Sequence, residues 1–313
     1  MARQRNPKPG QKPQVLALFG PTAVGKSELA VALSERLAAC GQGSVLIGAD
    51  SMQLYSGLAL VSGAATAEQR ARADHRLLGS VPIDQEFNVA RYSELAHREI
   101  DEALARGELP IVVGGTGLYL QAALTEMPLR PPLRATTETA LQLRLERDGD
   151  EVLHAELKAQ SPRAGERIDV ADHRRLLRTL GLLAEGHSVD DREGGIWTSQ
   201  MRRPTRLIGL VRDRDQLYAR IDARVDAIAA AGGREEVVAA LAAGASRTAQ
   251  MALGFRELQN GELEAMKRAT RRYAKRQLTW LRKLSAAELI EIGERGIEEV
   301  ADEILATDRC AAA

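Results

Sequence analysis

Cysteine and aromatic residues are scarce in this chain. Its 313 residues include two cysteines, which lie far apart, and only ten aromatic side chains. Without a Cys-x-x-Cys pair a structural zinc site is not expected, and two distant cysteines exclude a disulfide framework. Apolar residues still make up 44% of the sequence. The core must therefore consist mainly of leucine, alanine, valine and isoleucine, in one large domain or two.

Long apolar runs and a secretory leader are also missing. No apolar segment approaches the roughly 20 residues of a membrane-spanning helix. Residues 1–13 contain four basic residues and three prolines but no apolar stretch. This composition predicts a disordered basic tail and not a signal peptide. We therefore expect a cytoplasmic protein that has no membrane partner.

Residues 20–27 match the P-loop pattern G-x-x-x-x-G-K-[ST] in full. An apolar run precedes them and an amphipathic helical pattern follows, which is the context that the motif requires and which argues against a chance glycine-rich turn. Loop N–H groups and a helix N-terminus bind phosphate, so the pattern predicts a site for a di- or triphosphate. Lys26 would reach the distal phosphate, and Ser27 would hold Mg²⁺. The predicted phosphate-binding residues are Gly20, Pro21, Thr22, Ala23, Val24, Gly25, Lys26 and Ser27.

Short apolar runs alternate with helical patterns in most of the chain. The runs predict buried parallel strands at 15–19, 45–47, 111–113 and 207–211. This alternation predicts an α/β fold with a P-loop NTPase-like parallel sheet. After a proline-rich stretch at 127–132, helical patterns alone follow, at 137–147, 150–159 and 172–185. We therefore predict an all-helical insertion domain over 129–199 within a core of 14–128 and 200–313, with a helical C-terminal region after residue 211.

Ligands of such folds bind at the carboxyl ends of the strands, so the residues that follow each strand are candidates for chemistry. Asp50 follows the second run and is a candidate general base or magnesium ligand, or else an ordinary loop residue. The third run ends in Gly-Gly-Thr-Gly at 114–117, where a Walker-B strand would carry Asp or Glu. This weakens the case for ATP hydrolysis. The glycines predict a close approach of backbone to ligand, with the Thr116 hydroxyl beside it.

Two arginines after the fourth run are candidate phosphate clamps. A guanidinium group binds phosphate in a bidentate manner, which makes Arg214 and Arg220 suitable for this role. The alternative is ion pairing with the neighbouring Asp213 and Asp215. We expect that alternative to hold for at least one of the two arginines.

Charge is distributed unevenly, although the formal net charge is zero. Residues 265–287 contain eight basic and no acidic residues, and residues 288–303 contain seven acidic residues and one basic residue. A solvated face and a surface for a polyanion explain the basic segment about equally well. In the insertion, Arg174, Arg175 and Arg178 share one helical face. Two basic helices would be suited to hold a nucleic-acid backbone without reading its sequence.

Gln277 interrupts an otherwise apolar stripe on the predicted C-terminal basic helix. The stripe includes Met266, Thr270, Tyr273 and Trp280 at three- and four-residue steps. A buried glutamine needs hydrogen-bond partners. It is therefore either a hydrogen-bonding core residue or a residue that faces a ligand.

Five motifs together make the chain resemble the bacterial tRNA dimethylallyltransferases, also called tRNA isopentenyltransferases, over about 15–283. They are the P-loop, Asp-Ser-Met-Gln-Leu-Tyr at 50–55, Gly-Gly-Thr-Gly-Leu-Tyr-Leu at 114–120, a segment from Asp-Arg at 213–214 to Arg-Val at 224–225, and Tyr-Ala-Lys-Arg-Gln-Leu-Thr-Trp at 273–280. A P-loop alone is a weak signal, whereas five motifs in the family's order are a specific one.

The resemblance implies a reaction at adenosine 37, on the 3′ side of the anticodon. Its exocyclic N6 attacks C1 of dimethylallyl diphosphate, and diphosphate leaves. By family analogy, Asp50 is the general base, and Thr116 orients the adenine or that base. Arg220 and the P-loop hold the diphosphate, while Ser27 helps to bind Mg²⁺. A P-loop suits a diphosphate as well as a triphosphate, which accounts for the missing Walker-B acid.

The resemblance also implies the partners and the nucleic-acid contacts. The partners are dimethylallyl diphosphate and the anticodon stem-loop of tRNA, and we expect a monomer. The tRNA contacts carried over from the family are Asp50, Ser51, Met52, Gln53, Arg174, Arg175, Leu176, Leu177, Arg178, Met251, Ala252, Leu253, Gly254, Phe255, Arg256, Lys275, Arg276, Gln277, Leu278, Thr279, Trp280, Leu281 and Arg282.

The chain departs from the family pattern after Tyr55. A segment near Asp-Ile-Gly-Thr-Ala-Lys-Pro is replaced by Ala-Leu-Val-Ser-Gly-Ala-Ala at 59–65, which lacks the lysine. The family's paired histidines appear as Asp-His-Arg at 74–76. We expect these two segments to alter substrate preference or contact with the anticodon loop. The positions of the catalytic residues are intact.

Two other functions account for parts of the sequence. A P-loop kinase of a small molecule or nucleotide would explain the P-loop, but not the basic helices, the Gly-Gly-Thr-Gly segment or Gln277. An RNA-binding protein that has lost catalysis would explain the basic helices. The intact Lys26, Asp50 and Thr116 argue against that second alternative.

Overall fold

The computed structural model describes residues 13–127, 129–189 and 200–310. The chain divides into two compact units, which are residues 1–127 together with 196–313, and residues 128–195. Nearly all of the predicted N-terminal tail lies outside the described residues. In the part of the chain that is described, no helix combines the length and the apolar character that a membrane span requires.

The first unit is built on one parallel sheet. Its strands are β1 (Val15–Phe19), β2 (Ser44–Gly48), β3 (His75–Arg76), β4 (Leu109–Gly114), β5 (Thr205–Val211) and β6 (Glu288–Glu291). Their order is β3-β2-β4-β1-β5-β6, and every neighbouring pair is parallel. The predicted α/β fold is confirmed, and the four predicted strands are β1, β2, β4 and β5.

The two edge strands are absent from the prediction. β6 contradicts the expectation that the chain is helical after residue 211. This strand buries only Ile290, and β3 is two residues long. Neither strand therefore has the apolar run that marks a central parallel strand in a sequence.

Helices surround the sheet. Those before the insertion are α1 (Lys26–Ala39), α2 (Ala59–Ser62), α3 (Ala67–Arg72), α4 (Val89–Ala105) and α5 (Gly117–Leu124). Those after it are α10 (Arg214–Ala230), α11 (Gly233–Ala242), α12 (Phe255–Asn260), α13 (Leu263–Leu281) and α14 (Ile297–Cys310), with a short 3₁₀ helix at Ala249–Met251.

Both faces of the sheet are covered. All five residues of β1 are buried; Phe19 belongs to the cluster that includes Tyr92 of α4, and Leu18 to the cluster that includes Leu29 of α1. Since the strands are parallel, the loops after β1, β2 and β4 lie along one edge of the sheet. The P-loop, Asp50 and the Gly-Gly-Thr-Gly segment are thereby brought together.

The second unit is entirely helical in its described residues. Its helices are α6 (Ala135–Asp148), α7 (Asp150–Gln160), α8 (Pro162–Arg167) and α9 (His173–Ala184). They pack around a small leucine core that includes Leu141, Leu153 and Leu176. The short α8 is absent from the prediction, although Ser161 caps it and Pro162 begins it, as is usual for helix starts.

Candidate active site

A cavity of about 390 Å³ lies at the carboxyl end of the sheet in the first unit. The P-loop forms one end of it. Gln277 of α13 and Arg220 of α10 lie at this end, since both form hydrogen bonds to the P-loop backbone. Following the two helices away from the P-loop leads to Ile228 and Met266, which also line the cavity. At 1.5 Å per residue these side chains lie about 12 and 16 Å farther along their helices. The cavity therefore has a P-loop end and an apolar end.

Lys26 is held at the P-loop end. Its Nζ donates to the carbonyl oxygens of Gly20 and Pro21, at 3.0 and 2.8 Å. Burial lowers the pKa of Lys26 to about 8, the negative charge of Asp50 opposes this shift, and the positive charge of Arg224 adds to it. The ammonium group is thus poorly solvated and lies close to other charges, a condition that an incoming anion would relieve.

Asp50 is oriented by two hydrogen bonds. Its Oδ1 accepts from the backbone N–H of Met52 at 3.1 Å, and its Oδ2 accepts from the Thr116 hydroxyl at 3.4 Å. Thr116 is the N-cap of α5, yet its side chain makes no capping bond. The hydroxyl, which an N-cap threonine usually gives to its own helix, is here available to Asp50.

Tyr273 completes this arrangement, a role that neither the apolar stripe nor the family motif at 273–280 predicts. Its hydroxyl lies 3.1 Å from the Thr116 hydroxyl. Burial, followed by the negative charge of Asp50, raises the pKa of Tyr273, so the phenol keeps its proton. Tyr273 can therefore donate to Thr116 while Thr116 donates to Asp50. The signal in the sequence is the four-residue step from Tyr273 to Gln277, which places both on one helix face.

The two glycines at the end of β4, Gly114 and Gly115, are required by protein contacts, and both also line the cavity. A Cβ atom on Gly114 would lie 2.1 Å from the Ala49 carbonyl oxygen. One on Gly115 would lie 2.3 Å from Nε2 of Gln277. Two strand ends and one helix thus meet so closely that side chains at these positions would have no room.

Gln277 is a buried hydrogen-bonding residue. It is 1% exposed, its Nε2 donates to the Gly115 carbonyl at 2.8 Å, and its Oε1 accepts from the backbone N–H of Thr22 at 2.8 Å. These partners agree with the first of the two alternatives, a hydrogen-bonding core residue. The Gln277 side chain nevertheless forms part of the cavity wall.

The two candidate arginine clamps lie in different surroundings. Arg220 donates from Nε to the Ala23 carbonyl at 2.9 Å and lines the cavity. The Arg214 guanidinium lies 5.2 Å from the ring centroid of Tyr218. Asp213 accepts from the backbone N–H groups of Asp215 and Gln216, so it caps α10 and forms no ion pair with either arginine. Of these two candidates, Arg220 is the one that lies beside the P-loop.

Arg224 is a further cationic group of the cavity. It lies one helical turn beyond Arg220 and makes no hydrogen bond or ion pair with another described residue. Its guanidinium occupies the space where a side chain on Gly63 would be, since a Cβ there would lie 1.2 Å from Nη2. Burial lowers the pKa of Arg224, and the charge of Asp50 opposes this shift. The sequence contains this arginine in a motif, but the opening over Gly63 is visible only in three dimensions.

The divergent segment 59–65 is well anchored. The backbone N–H groups of Leu60 and Val61 donate to the Glu236 carboxylate at 2.9 and 2.8 Å. Gln53 donates from Nε2 to the Gly63 carbonyl at 3.1 Å. These bonds hold segment 59–65 in place as part of the cavity wall. Val61 lines the cavity there, and Gly63 leaves room for the Arg224 side chain.

The basic face of α13 is smaller than its sequence predicts. Lys267 pairs with Asp226 at 2.8 Å and with Glu264 at 3.0 Å, and Arg271 pairs with Asp222. The expectation of eight cations without counter-charges is therefore wrong for these two. Six exposed basic residues remain, which we call the outer basic face: Arg268, Arg272, Lys275, Arg276, Arg282 and Lys283.

Several residues carried over as tRNA contacts are buried instead. They pack into the cores of their units, where a bound macromolecule would not touch them: Leu176, Ala252, Gly254, Phe255 and Leu281. The exposed positions near them include Met251, which is 64% exposed, and Arg256. The buried residues pack in the core and so hold the neighbouring exposed residues in place.

The predicted arginine face of α9 also changes. Arg178 donates to the carbonyl oxygens of Arg130 and Pro131, and burial lowers its pKa. Arg175 lies 3.4 Å from Asp172 in an ion pair. Arg174 is exposed and makes no hydrogen bond or ion pair with another described residue. Arg178 therefore stabilises its own unit and does not share the exposed face.

The sequence profile of the IPP transferase family matches residues 53–284. A tRNA dimethylallyltransferase of Rhodopseudomonas palustris strain BisB5 is 40% identical over 292 residues, which cover 88% of this chain and 87% of the relative. A tRNA dimethylallyltransferase of Anaeromyxobacter dehalogenans strain 2CP-C is 40% identical over 281 residues, which cover 86% and 92%.

Solved structures agree with this relationship. The full-length tRNA isopentenylpyrophosphate transferase of Bacillus halodurans superimposes with a TM-score of 0.68 at 29% identity, covering 96% of this chain and 98% of the other. A eukaryotic dimethylallyltransferase acting on tRNA shares the fold, with a TM-score of 0.68 at 21% identity over 95% of this chain and 77% of the other. On the profile match and the identity to these relatives, the chain belongs to the IPP transferase family.

Proposed function

We propose that this protein transfers a dimethylallyl group from dimethylallyl diphosphate to N6 of adenosine 37 in tRNA. The N6 lone pair attacks C1 and a C–N bond forms. The C1–O bond breaks, and diphosphate leaves with its electron pair. One N6 proton passes to the Asp50 carboxylate. The names of the relatives support transfer to tRNA, and the site's chemistry supports the donor and the acceptor atom.

The two-ended cavity is the observation that carries the proposal. Its P-loop end offers backbone N–H groups and Lys26 to a diphosphate. Its apolar end is lined by Val61, Val225, Ile228, Leu253 and Met266. A branched five-carbon chain on a diphosphate would fill both ends of the cavity. Asp50 lines the same cavity, within reach of an acceptor that enters there.

Stabilising the leaving diphosphate is the main chemical task, because an allylic carbon loses its leaving group readily. Four cations line the cavity: Lys26, Arg220, Arg224 and Arg276. Hydrogen bonds to P-loop carbonyl oxygens hold Lys26 and Arg220 before substrate binds, so these two cations can stabilise the developing negative charge with little rearrangement. In this proposal Arg220 closes over the P-loop, and Arg224 contacts the diphosphate from the α10 side.

Mg²⁺ fits the donors of this cavity as a weakly held ion. Ser27, Asp50 and Glu28 line it, and the described residues contain no cluster of three or more His, Cys, Asp or Glu that would hold a metal alone. Mg²⁺ is typically bound by one or two protein groups, several waters and substrate phosphate oxygens. When bound, it would neutralise charge on the diphosphate. The Ser27 hydroxyl is the ligand that we propose.

The acceptor base must leave the stack of the anticodon loop to reach Asp50. We propose that the outer basic face of α13 and Arg174 of α9 hold the phosphate backbone of the anticodon stem-loop. Exposed Met251 would contact the loop at the cavity mouth. Such backbone contacts position the substrate and leave sequence selection to the pocket. In the same proposal, the protein acts as a monomer in the cytoplasm.

A label-transfer assay tests the proposed function. The protein would be incubated with Mg²⁺, labelled dimethylallyl diphosphate and unmodified tRNA that carries adenosines at 36 to 38. A parallel sample would contain labelled ATP. We expect label on the tRNA, and its loss when adenosine 37 is replaced. Phosphorylated product without prenyl transfer would instead establish a kinase, and tRNA binding without either reaction would establish a catalytically silent binder.

Replacing Asp50 tests the base. Asp50→Ala and Asp50→Asn should each lower turnover by about 10²-fold or more, the usual scale of general-base loss. Asp50→Asn retains an Oδ1 that can accept from Met52, so its defect isolates the loss of the base from the loss of the loop bond. Binding of tRNA should stay nearly unchanged, as measured by filter retention. A near-normal rate for the asparagine variant would remove Asp50 from this role.

Arg220 and Arg214 form a matched pair on one helix. Arg220→Ala removes a cation beside the P-loop and should raise the KM for dimethylallyl diphosphate, lower kcat, or both, by about tenfold overall, the scale of a charge-assisted hydrogen bond. Arg214→Ala, which removes only the contact with Tyr218, should leave both constants close to wild type. Equal effects of the two substitutions would contradict a specific clamp at Arg220.

Lys26 gives the donor site a pH dependence. The pKa near 8 means that free enzyme loses the ammonium charge as the pH rises through that value. From pH 7 to pH 9 the protonated fraction falls from about nine-tenths to about one-tenth, so pyrophosphate affinity should fall by about tenfold. Calorimetry at both pH values measures this change. Lys26→Arg keeps its charge and serves as the control, and an identical profile for both proteins would contradict the assignment.

A further inference from the structure

One P-loop donor is already used by the protein itself. The backbone N–H of Thr22, the third residue of the loop, donates to Oε1 of Gln277. In phosphate-binding loops such N–H groups face the phosphate chain. Thr22 lines the cavity, but its N–H cannot donate fully to an anion while it donates to Gln277. The loop therefore presents fewer donors than its sequence pattern indicates.

The Gln277 amide also lies beside the lysine that would contact a terminal phosphate. A Cβ atom built on Gly115 would be 2.3 Å from Nε2 of Gln277 and 3.4 Å from Nζ of Lys26. In nucleotide-binding P-loops the lysine reaches the β- and γ-phosphates. The amide thus lies at the end of the phosphate site that the lysine contacts.

The glutamine is firmly fixed in this position. Nε2 donates to the Gly115 carbonyl at 2.8 Å, so both ends of the amide are bonded to backbone. Gln277 is 1% exposed. Its neighbour Gly115 has no side chain whose movement could make room for the Gln277 amide to shift. Displacing the amide would leave buried polar groups without partners, which is costly. A third phosphoryl group would have to displace it or do without the Thr22 donor.

From these contacts we infer that Gln277 limits the P-loop to two phosphoryl groups and so selects a diphosphate over a triphosphate. This inference rests on the proposed function in that it gives a reason why the site accepts dimethylallyl diphosphate in the presence of ATP. It makes Gln277 a specificity-determining residue with no direct part in proton transfer. It also explains why a glutamine interrupts the apolar stripe of α13.

Binding of inorganic pyrophosphate and inorganic tripolyphosphate tests the inference without any prenyl chemistry. Calorimetry with Mg²⁺ would give both affinities for the wild-type protein and for Gln277→Ala, Gln277→Leu and Gln121→Ala. Both Gln277→Ala and Gln277→Leu free the Thr22 donor, but only Gln277→Ala opens space, because leucine keeps that space filled. Gln121 is a buried glutamine that does not line the cavity, so its replacement controls for the loss of a buried amide.

We expect wild-type protein to bind pyrophosphate more tightly than tripolyphosphate by about tenfold or more, the scale of one hydrogen bond to a charged group. Gln277→Ala should shift this ratio towards tripolyphosphate by about tenfold, while the leucine and Gln121 variants keep the wild-type ratio. Equal wild-type affinities would overturn the inference, as would an unchanged ratio in a folded Gln277→Ala protein. Should that variant fail to fold, the wild-type ratio decides alone.

The transfer assay separates this inference from the proposed function. A preference for pyrophosphate in a protein that transfers no prenyl group would leave the inference intact and refute the function. Efficient transfer by a protein that binds both anions equally would do the opposite.

Discussion

The amide of Gln277 is the contact on which the geometry of the site depends. It joins the P-loop, which follows β1, to the end of β4, and it does so from a helix near the end of the chain. Glycine at 114 and 115 is what allows the three segments to come this close. Because both ends of the amide are bonded to backbone groups, the phosphate site is shaped before substrate arrives. Helix α13 is therefore part of the P-loop site.

The charges of the cavity are arranged for an anion that forms during the reaction. Lys26 and Arg224 lie close enough to the oriented Asp50 carboxylate to be affected by its charge, and Arg220 lines the same cavity. Burial lowers the pKa of Lys26 and of Arg224, so both cations are held in surroundings that favour their neutral forms. A bound diphosphate would raise the pKa of both groups and would be stabilised by their positive charges. Such preorganised charge usually contributes more to catalysis than any single proton transfer.

Helix α13 has different tasks on its two sides. Its inner side supplies Gln277 to the phosphate end, Tyr273 to the Asp50 arrangement and Met266 to the apolar end. Its outer side carries the outer basic face. One rigid helix thus relates the donor pocket to the surface proposed for tRNA, so that the reacting atoms are positioned by a single element.

The sequence by itself determined the central strands, the P-loop with α1, the helical insertion and the family, because these depend on local periodicity and on short motifs. The tertiary structure alone decided which neighbours each polar residue has. Thr22 and Gln277 are 255 positions apart, and no local pattern relates them. Likewise, the counter-charges of Lys267 and Arg271 come largely from another helix, and the opening for Arg224 is the missing side chain of Gly63. Long-range packing sets these contacts, so they become visible only when the chain is folded.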